Sequence, residues 1–351
     1  MLKHGFSSKI ASFMPMSNKK RSEAFSVLLV GCGQIAGGYD QPGGNAIKTH
    51  AKAYLHHGGF RLAGCVDPDV EKARDFARRW QVDEAFPDLE AAAGAAYDVV
   101  SICSPLVAHA GQLQALLDWD VRLVFCEKPL TIDTALSQEI VDTYRARNRP
   151  LAVNYQRRWD PSVRKVKADI ASGRWGRLLS AHGIYTKGIY ANGSHLIDLL
   201  HTLIGPLEPI MVTEQRIDYL PDDPTLGGIL RTEDHRLVVL SIGDSRCFTI
   251  FELDLLFEQG RITFGDSGWT LCERRVTPDP RYERYFILEP QIIRPSTMDR
   301  AMSAAVANLY EFLAGERELV STGETALVSQ LTCQRLHALA STTHSLHVNQ
   351  E

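Results

Sequence analysis

VLLVGCGQIA (residues 27–36) joins a short apolar run to a turn that contains two glycines. The apolar run predicts a buried strand, and the G-x-G-x-x-A spacing is typical of the turn that holds a dinucleotide pyrophosphate. In such a turn Gly31 would allow the tight bend, Gly33 would let the backbone approach the phosphates, and Ala36 would be small enough for helix–strand packing. The candidate cofactor-binding residues of this turn are Gly31, Gly33, Gln34, Ile35 and Ala36.

Apolar runs and helical patterns alternate as far as residue 155. Strands that are buried on both faces and separated by helices predict a mostly parallel, doubly wound sheet, the Rossmann arrangement of α/β proteins. The predicted strands are 27–31, 61–67, 98–104, 121–128 and 150–155, and the predicted helices are 68–80, 107–119 and 134–148.

The pattern changes after residue 155. Two helices are predicted at 160–173 and 194–205, with Asp160 and Ser194 as their N-caps. Consecutive strand-like runs without helices then predict an α+β domain with a large, open, mostly antiparallel sheet. These runs are 207–218, 226–231, 235–243, 246–257, 260–265, 269–275 and 283–293, and helices at 298–315 and 323–341 follow, the second preceded by Ser321 and Glu324 at the spacing of a capping box.

These patterns divide the 351 residues into three parts: a flexible N-terminal extension (1–25), a Rossmann domain that would bind a dinucleotide (26–153) and an α+β domain (154–351). We expect a cleft between the last two. The extension has five basic residues and one acid, but it lacks the apolar core of a secretory signal. A transit peptide, or a true start at Met14 or Met16, is an alternative interpretation.

Charge and composition restrict the classes of function. The formal net charge of −4 argues against a nucleic-acid partner, and no apolar stretch of about 18 residues predicts a membrane span. The seven cysteines are scattered, without a C-x-x-C pair or a His/Cys cluster at zinc spacing. We therefore expect reduced core thiols, no metal site, a cytoplasmic protein and a small-molecule partner.

Asp67 ends the second predicted strand, 36 residues after Gly31. An acid in this position can accept hydrogen bonds from the adenosine ribose and would repel a 2′-phosphate, which favours NAD over NADP. The usual separation is about 20 residues, and the extra length lies near the start of this unit. The alternative interpretation is a helix N-cap before the segment 68–80, and Asp67 could serve both purposes.

Glu127, Lys128 and Pro129 end the fourth predicted strand. Ligands of open α/β sheets bind at the carboxyl ends of the strands, so Lys128 is a candidate donor to a substrate oxygen. The alternative for this lysine is simple solvation at the surface. Pro129 could follow a cis peptide bond.

Several segments in one order carry a family resemblance. The segments are GCGQIA (31–36), SICSPLVAH (101–109), CEKP (126–129), NYQRRWDPSVRKVKADIASGRWGRL (154–178), GSHLIDLLHTLIG (193–205), ELDLLFEQGRITFGDSG (252–268) and NLYEFLAGERELVSTGETAL (308–327). With them the chain resembles the glucose–fructose oxidoreductase / inositol dehydrogenase / MocA family over roughly residues 26–342. The resemblance implies that residues 26–153 bind NAD and that residues 154–351 serve substrate binding and oligomerisation.

This resemblance implies a dehydrogenase or reductase of sugars, nucleotide sugars or polyols that uses NAD, with NADP less favoured. It implies that Lys128 lies beside the reacting carbon and that His195 is the general acid/base, a role that suits the ordinary pKa of histidine. It further implies that the open sheet forms homodimers or homotetramers. The other residues implied to bind the cofactor are Ser104, Pro105 and His109, with Glu127 near the nicotinamide ribose.

The chain departs from the family pattern before His195. The family's Asp-x-x-x-His-x-x-Asp motif has its first aspartate replaced by Ala191, which puts the strength of the base in doubt, while Asp198 matches the last acid. Asp198 is a candidate for structural support or for substrate binding, and either Arg157 or Arg158 could bind a hydroxyl, a carboxylate or a diphosphate. The candidate substrate-binding residues are Arg157, Tyr185, Lys187, Asn192 and Asp198. Tyr185, Lys187 and Tyr190 are the candidates to take the role of the aspartate that Ala191 replaces.

Residues 37–48 are predicted to be an insertion of eight to ten residues that overhangs the cleft mouth, where Tyr39, Asp40 and His50 could touch substrate or cover the cofactor. Two alternatives to the dehydrogenase stay open. Ala191 would suit an NAD-binding regulator that has lost catalysis, although retention of Lys128 and His195 argues against it. An NAD-dependent glycosidase would use the same pair of residues.

Overall fold

The computed structural model describes residues 24–348. Most of the N-terminal extension predicted over residues 1–25 lies outside this range, and Phe25 already belongs to the first strand. None of the helices in the described range is long and apolar enough to cross a membrane. All seven cysteines lie in this range and are free thiols, of which Cys247 is the exposed one.

The first sheet has six parallel strands in the order β3-β2-β1-β4-β5-β6, which confirms the predicted Rossmann arrangement. Its middle strands β4 and β5 are buried throughout, because helices cover both faces. The strands are β1 (Phe25–Val30), β2 (Phe60–Val66), β3 (Glu84–Phe86), β4 (Val99–Ile102), β5 (Leu123–Cys126) and β6 (Leu151–Val153), and the helices are α1 (His50–His57), α2 (Val70–Trp80), α3 (Leu89–Ala92), α4 (Leu106–Leu116) and α5 (Thr134–Ala146).

The second sheet is mixed and mostly antiparallel, as predicted, with the order β14-β13-β12-β11-β7-β10-β9-β8 and β15 beside β13. Its one parallel pair in the described range is β7 with β10. The strands are β7 (Leu178–Tyr185), β8 (Leu207–Leu220), β9 (Asp223–Thr232), β10 (Leu237–Ile242), β11 (Phe251–Phe257), β12 (Gly260–Gly265), β13 (Thr270–Pro278), β14 (Phe286–Leu288) and β15 (Arg294–Pro295).

Some predicted segments differ in detail. The strand predicted at 283–293 was too long, because only Phe286–Leu288 pairs with β13 and Pro290 cannot donate to a ladder. The short β3 and α3 were not predicted, since three or four residues show no measurable periodicity.

The later helices are α6 (Pro161–Ala171), α7 (Ser194–Ile204), α8 (Ala301–Leu313) and α9 (Gly323–Val348). Asp160 caps α6 as predicted, since its carboxylate accepts from the Ser162 amide at 2.8 Å. Ser194 was a wrong prediction for the cap of α7, because a π-turn continues into that helix and the Ser194 hydroxyl donates to the Tyr190 carbonyl.

The capping box before α9 was predicted one residue too early. Thr322 and Thr325 exchange hydrogen bonds between hydroxyl and amide there, which satisfies the free amide groups of the first turn. Ser321 instead donates to the Val153 carbonyl and ties this segment to β6.

Helix α8 packs against the first sheet although it lies late in the sequence. Its residues Met302, Val306 and Leu309 are buried in the same core cluster as Val27 and Leu29 of β1. Helix α9 contacts both α5 and α7. The two sheets are therefore held together by helices from the C-terminal part, and the site described next lies where the two parts meet.

Candidate active site

The turn after β1 has the geometry that a phosphate site requires. Gly31 has φ +91°, and a Cβ there would stand 2.7 Å from the Ser104 amide nitrogen, so only glycine fits. A Cβ on Gly33 would meet no atom within 4 Å, which leaves space beside the backbone for a diphosphate. Residues Gln34–Gly38, including Ile35 and the buried Ala36, form a short π-helix instead of the first turn of a long helix.

Asp67 lies beside this turn and is ionised. Its carboxylate accepts from the Cys32 amide at 2.9 Å, the Asp69 amide at 3.1 Å and the Lys72 ammonium at 2.6 Å. Burial alone would raise its pKa, but these hydrogen bonds outweigh burial and hold the pKa below the ordinary value. Helix α2 is capped by Asp69, not by Asp67, so the N-cap interpretation of Asp67 was wrong.

Glu127 joins the end of β5 to two other elements. Its carboxylate contacts His50 Nε2 at 2.8 Å and accepts from the side-chain Nδ2 of Asn154 at 2.6 Å. Burial alone would raise the pKa of Glu127, but His50, Asn154 and Lys128 together lower it. Glu127 is therefore an ionised acceptor that fixes the start of α1 against β5 and β6.

His109 and Ser104 shape the neighbouring wall. His109 is buried, and its two ring nitrogens lie 3.0 Å from the carbonyl oxygens of Ser104 and Pro129. The Ser104 hydroxyl donates to Gln112, and Pro105 occupies the N-cap position of α4. The Lys128–Pro129 peptide bond is cis. His109 supports the turn that carries Lys128 through its contact with the Pro129 carbonyl.

Lys128 extends from the end of β5 to the loop that precedes α7. Its ammonium donates to the Ala191 carbonyl at 2.6 Å, and the side chain is half-buried. Burial lowers the pKa of Lys128 to about 8; Arg157 adds to this decrease, whereas Glu127 and Asp223 oppose it. Lys128 thus carries a positive charge at neutral pH, although its pKa lies only slightly above that pH.

His195 lies in the first turn of α7, near enough to Lys128 and Arg157 to interact with their charges. The edge of the Tyr155 ring packs against its imidazole, with ring centroids 5.7 Å apart. Burial lowers the pKa of His195 well below 6.5, and the positive charges of Lys128 and Arg157 lower it further. A neutral imidazole at physiological pH can accept a proton from a substrate hydroxyl.

Arg157 follows β6 and completes the cluster of positive groups. Its guanidinium lies 3.9 Å from the centroid of the Phe251 ring and donates to the Ser267 carbonyl at 3.0 Å. Its Nε is buried and has no hydrogen-bond acceptor in the part of the chain that the structure describes. Burial lowers its pKa to about 10, so the group remains a cation at neutral pH.

Comparison with known proteins confirms the predicted family resemblance over the first domain. Residues 25–155 match the Gfo/Idh/MocA family, described as an oxidoreductase family with an NAD-binding Rossmann fold. Inositol 2-dehydrogenase of Mycolicibacterium gilvum (strain PYR-GCK) is 37% identical over 129 residues, which are 36% of this chain and 37% of that protein. The matches cover little more than a third of the first curated relatives.

Two solved structures share the fold over nearly the whole chain. The WlbA dehydrogenase of Bordetella pertussis, in complex with NADH and UDP-GlcNAcA, has a TM-score of 0.70 at 19% identity and covers 91% of this chain and 97% of its own. A variant of KijD10, a 3-ketoreductase of Actinomadura kijaniata in complex with TDP-benzene and NADP, has a TM-score of 0.71 at 17% identity, covering 90% and 98%. Both support the two-sheet architecture described above.

Three candidate substrate-binding residues near Ala191 have partners within the protein. The Tyr185 hydroxyl is buried between the carbonyl and the amide of Leu226. The Lys187 ammonium lies 5.7 Å from the Tyr219 ring centroid. The side-chain Nδ2 of Asn192 donates to the Thr186 carbonyl. The structure therefore places these three side chains around the loop before α7, and their contact with substrate stays a prediction.

Asp198 is buried on α7 and forms an ion pair. Arg158 donates to its carboxylate through Nε at 3.0 Å and Nη2 at 2.8 Å, and the Ser329 hydroxyl donates at 2.9 Å. Arg158 is 8% exposed and Asp198 1%. Of the two candidate arginines, Arg158 is the one that binds α7, which favours the supporting role for Asp198.

The insertion forms an ordered loop. Asp40 accepts from the Lys48 amide and from the amide and hydroxyl of Thr49, each at 2.8 Å, so the loop closes on itself before α1. Asp40 and His50 are buried, whereas Tyr39 is 63% exposed. The loop borders a cavity of about 760 Å³, and the residues that line it include Ile35, Tyr39, Ile47, Gln156, Trp269 and Met302.

Three site residues had no signal in the sequence. Asn154 and Asp223 are ordinary polar residues beside predicted strands, and only the fold shows that they contact Glu127 and the backbone before α7. Trp269 borders the cavity from the loop between β12 and β13. The partner of His50 was also unpredictable, because Glu127 lies 77 residues further along the chain.

Proposed function

We propose that this protein transfers a hydride between NAD and a secondary alcohol or ketone of a sugar, nucleotide sugar or polyol. The observation that carries the proposal is the cluster of Lys128, His195 and Arg157, whose charges act on one another. One neutral base and two cations suit an alcohol that must lose a proton while negative charge develops on its oxygen.

The proposed roles follow from the charges of the groups. His195 takes the hydroxyl proton on its imidazole, because its low pKa keeps it neutral. Lys128 donates to the same oxygen and stabilises the developing alkoxide. Arg157, with its unpaired Nε, holds a second oxygen of the substrate and so fixes the reacting carbon. In the reverse direction His195 returns the proton to the carbonyl oxygen.

The cofactor would lie between Gly33 and Asp67. The open space at Gly33 and the narrow turn at Gly31 fit a diphosphate, and the nicotinamide supplies the acceptor or donor of the hydride. The ionised Asp67 favours the free ribose hydroxyls of NAD. Lys72 pairs with Asp67 and weakens its repulsion of a 2′-phosphate, so the preference is expected to be moderate.

The open second sheet is proposed to form the contact between copies in a homodimer or homotetramer. Large apolar side chains of β8 and β10 are exposed on it, including Met211, Ile217, Leu237 and Val239. Such patches on a monomer mark interaction surfaces. Sedimentation of the purified protein tests this proposal, and a monomer at micromolar concentration would contradict it.

The test of function is a panel of sugars, nucleotide sugars and polyols with NAD or NADP, followed by absorbance of the reduced cofactor. We expect turnover on at least one compound, faster with NAD, and its loss in Lys128→Ala and His195→Asn. Asp67→Ala is expected to narrow the preference for NAD. Tight NAD binding without turnover on any compound would contradict the proposal and favour a cofactor-bound regulator, whereas release of an aglycone would indicate the glycosidase.

A further inference from the structure

Asp223, the first residue of β9, binds the loop that precedes α7. The side chain is 7% exposed. One carboxylate oxygen accepts from the Tyr190 amide at 2.8 Å, and the other accepts from the Ala191 amide at 2.9 Å. A buried carboxylate that receives two backbone N–H groups fixes those two peptide units.

The same loop residue also binds Lys128. The Ala191 carbonyl accepts from the Lys128 ammonium at 2.6 Å, while the Ala191 amide donates to Asp223. The carboxylate and the ammonium thus hold opposite ends of one residue. Gly188 allows this approach, because it has φ +75° and a Cβ there would overlap the Asp223 carboxylate.

We propose that Asp223 is a positioning residue that holds Lys128 through Ala191 and supplies the negative charge that the family places at position 191. This inference rests on the proposed function for the role of Lys128, but not for the contact itself. A carboxylate from β9 thereby replaces one from the loop. The negative charge that the family has at position 191 is thus present in this chain at Asp223.

The electrostatics agree with this geometry. Asp223 is one of the groups that raise the pKa of Lys128 against the effect of burial. Burial raises the pKa of Asp223 itself, while the Tyr190 and Ala191 amides, Lys128 and His337 oppose that change. The titratable and charged groups that act on Lys128 are Glu127, Arg157, Asp223 and Cys333, and Lys128 in turn acts on His195.

The test reads the titration of Lys128 directly and needs neither substrate nor turnover. Protein labelled with 13C at the lysine ε-carbons is titrated by NMR, and the Lys128 signal is assigned by its loss in Lys128→Arg. Ala191 lies between the Asp223 carboxylate and the Lys128 ammonium. Removing an opposite charge at such a separation lowers the pKa of the lysine by roughly half to one unit. We therefore expect that downward shift in Asp223→Asn.

The matched control is Asp222→Asn, because Asp222 is the exposed neighbour and the change of net charge is identical. Asp222→Asn is expected to shift the pKa of Lys128 by less than about 0.2 unit, because a solvated charge is screened. Ala191→Asp restores the carboxylate of the family. It should raise the pKa of Lys128 in the wild-type background and return it to the wild-type value when combined with Asp223→Asn.

An unchanged Lys128 titration in Asp223→Asn, or an equal shift in Asp222→Asn, would overturn the proposal. If Asp223→Asn fails to fold, Ala191→Asp alone decides, and an unchanged Lys128 pKa in that variant would also overturn it. Absence of turnover on every sugar would contradict the proposed function but not this inference. Conversely, an unaltered titration would leave the proposed hydride transfer standing.

Discussion

Asp198→Ala is expected to lower the free energy of unfolding strongly, because it leaves a buried arginine without its partner. Arg158 donates two hydrogen bonds to the Asp198 carboxylate, through Nε and Nη2, and is almost completely buried. Removing one member of a buried ion pair costs about 3–5 kcal/mol, which is a large share of the roughly 5–15 kcal/mol that stabilises a typical domain. Burial raises the pKa of Asp198 despite Arg158, so desolvation of this pair is substantial.

The assay is urea unfolding followed by tryptophan fluorescence, for which Trp159 is a buried probe next to Arg158. The matched variant is Arg158→Met with Asp198→Leu, which removes both charges and keeps apolar volume. Replacing both members of a buried pair is often nearly neutral, so the double variant should lose less than half as much stability as the single one.

Two results would refute this reasoning. A loss below about 1 kcal/mol in Asp198→Ala would show that the pair is solvated or dispensable. Unchanged stability together with weaker substrate binding would instead place Asp198 in the substrate site, as the family motif first suggested.

Three other changes test separate parts of the structure. The rate of oxidation should be constant between about pH 6.5 and 7.5 and fall above about 8, because His195 is already neutral and Lys128 loses its proton there; a pH–rate profile with an acid limb near 6.5 would contradict this. Gly31→Ala should abolish NAD binding or folding, since its Cβ meets backbone at 2.7 Å, and calorimetry with NAD that shows normal affinity would refute it. Replacing residues 41–46 by two glycines, with Asp40 kept, should alter KM more than the melting temperature, and the opposite result would make the loop a surface feature only.

The sequence predicted the first sheet well because its signals are local. Buried strands of four to seven residues alternate with amphipathic helices, and Gly31 marks a turn that no other residue can adopt. Short elements such as β3, and the separation of β14 from β15, depend on pairing with distant strands. Such pairing leaves no periodic pattern in three residues.

The residues of the candidate site could be predicted from the sequence, but their contacts could not. Lys128, His195 and Arg157 were selected from the sequence, and the structure brings them together from β5, α7 and the segment after β6. The partners of these residues could not be read from spacing. Asp223 follows Ala191 by 32 residues, and its role depends on how β9 meets the loop before α7.

The most direct test of the account is single-turnover hydride transfer by Lys128→Ala, measured with saturating NAD and the best alcohol of the panel. The account predicts a transfer rate lower by about 10²–10⁴-fold, with the NAD dissociation constant changed less than about threefold. Lys165→Ala, which removes an exposed lysine of α6, is the matched control and should transfer hydride at the wild-type rate. Transfer at the wild-type rate by Lys128→Ala would contradict the central claim that this lysine stabilises the reacting oxygen.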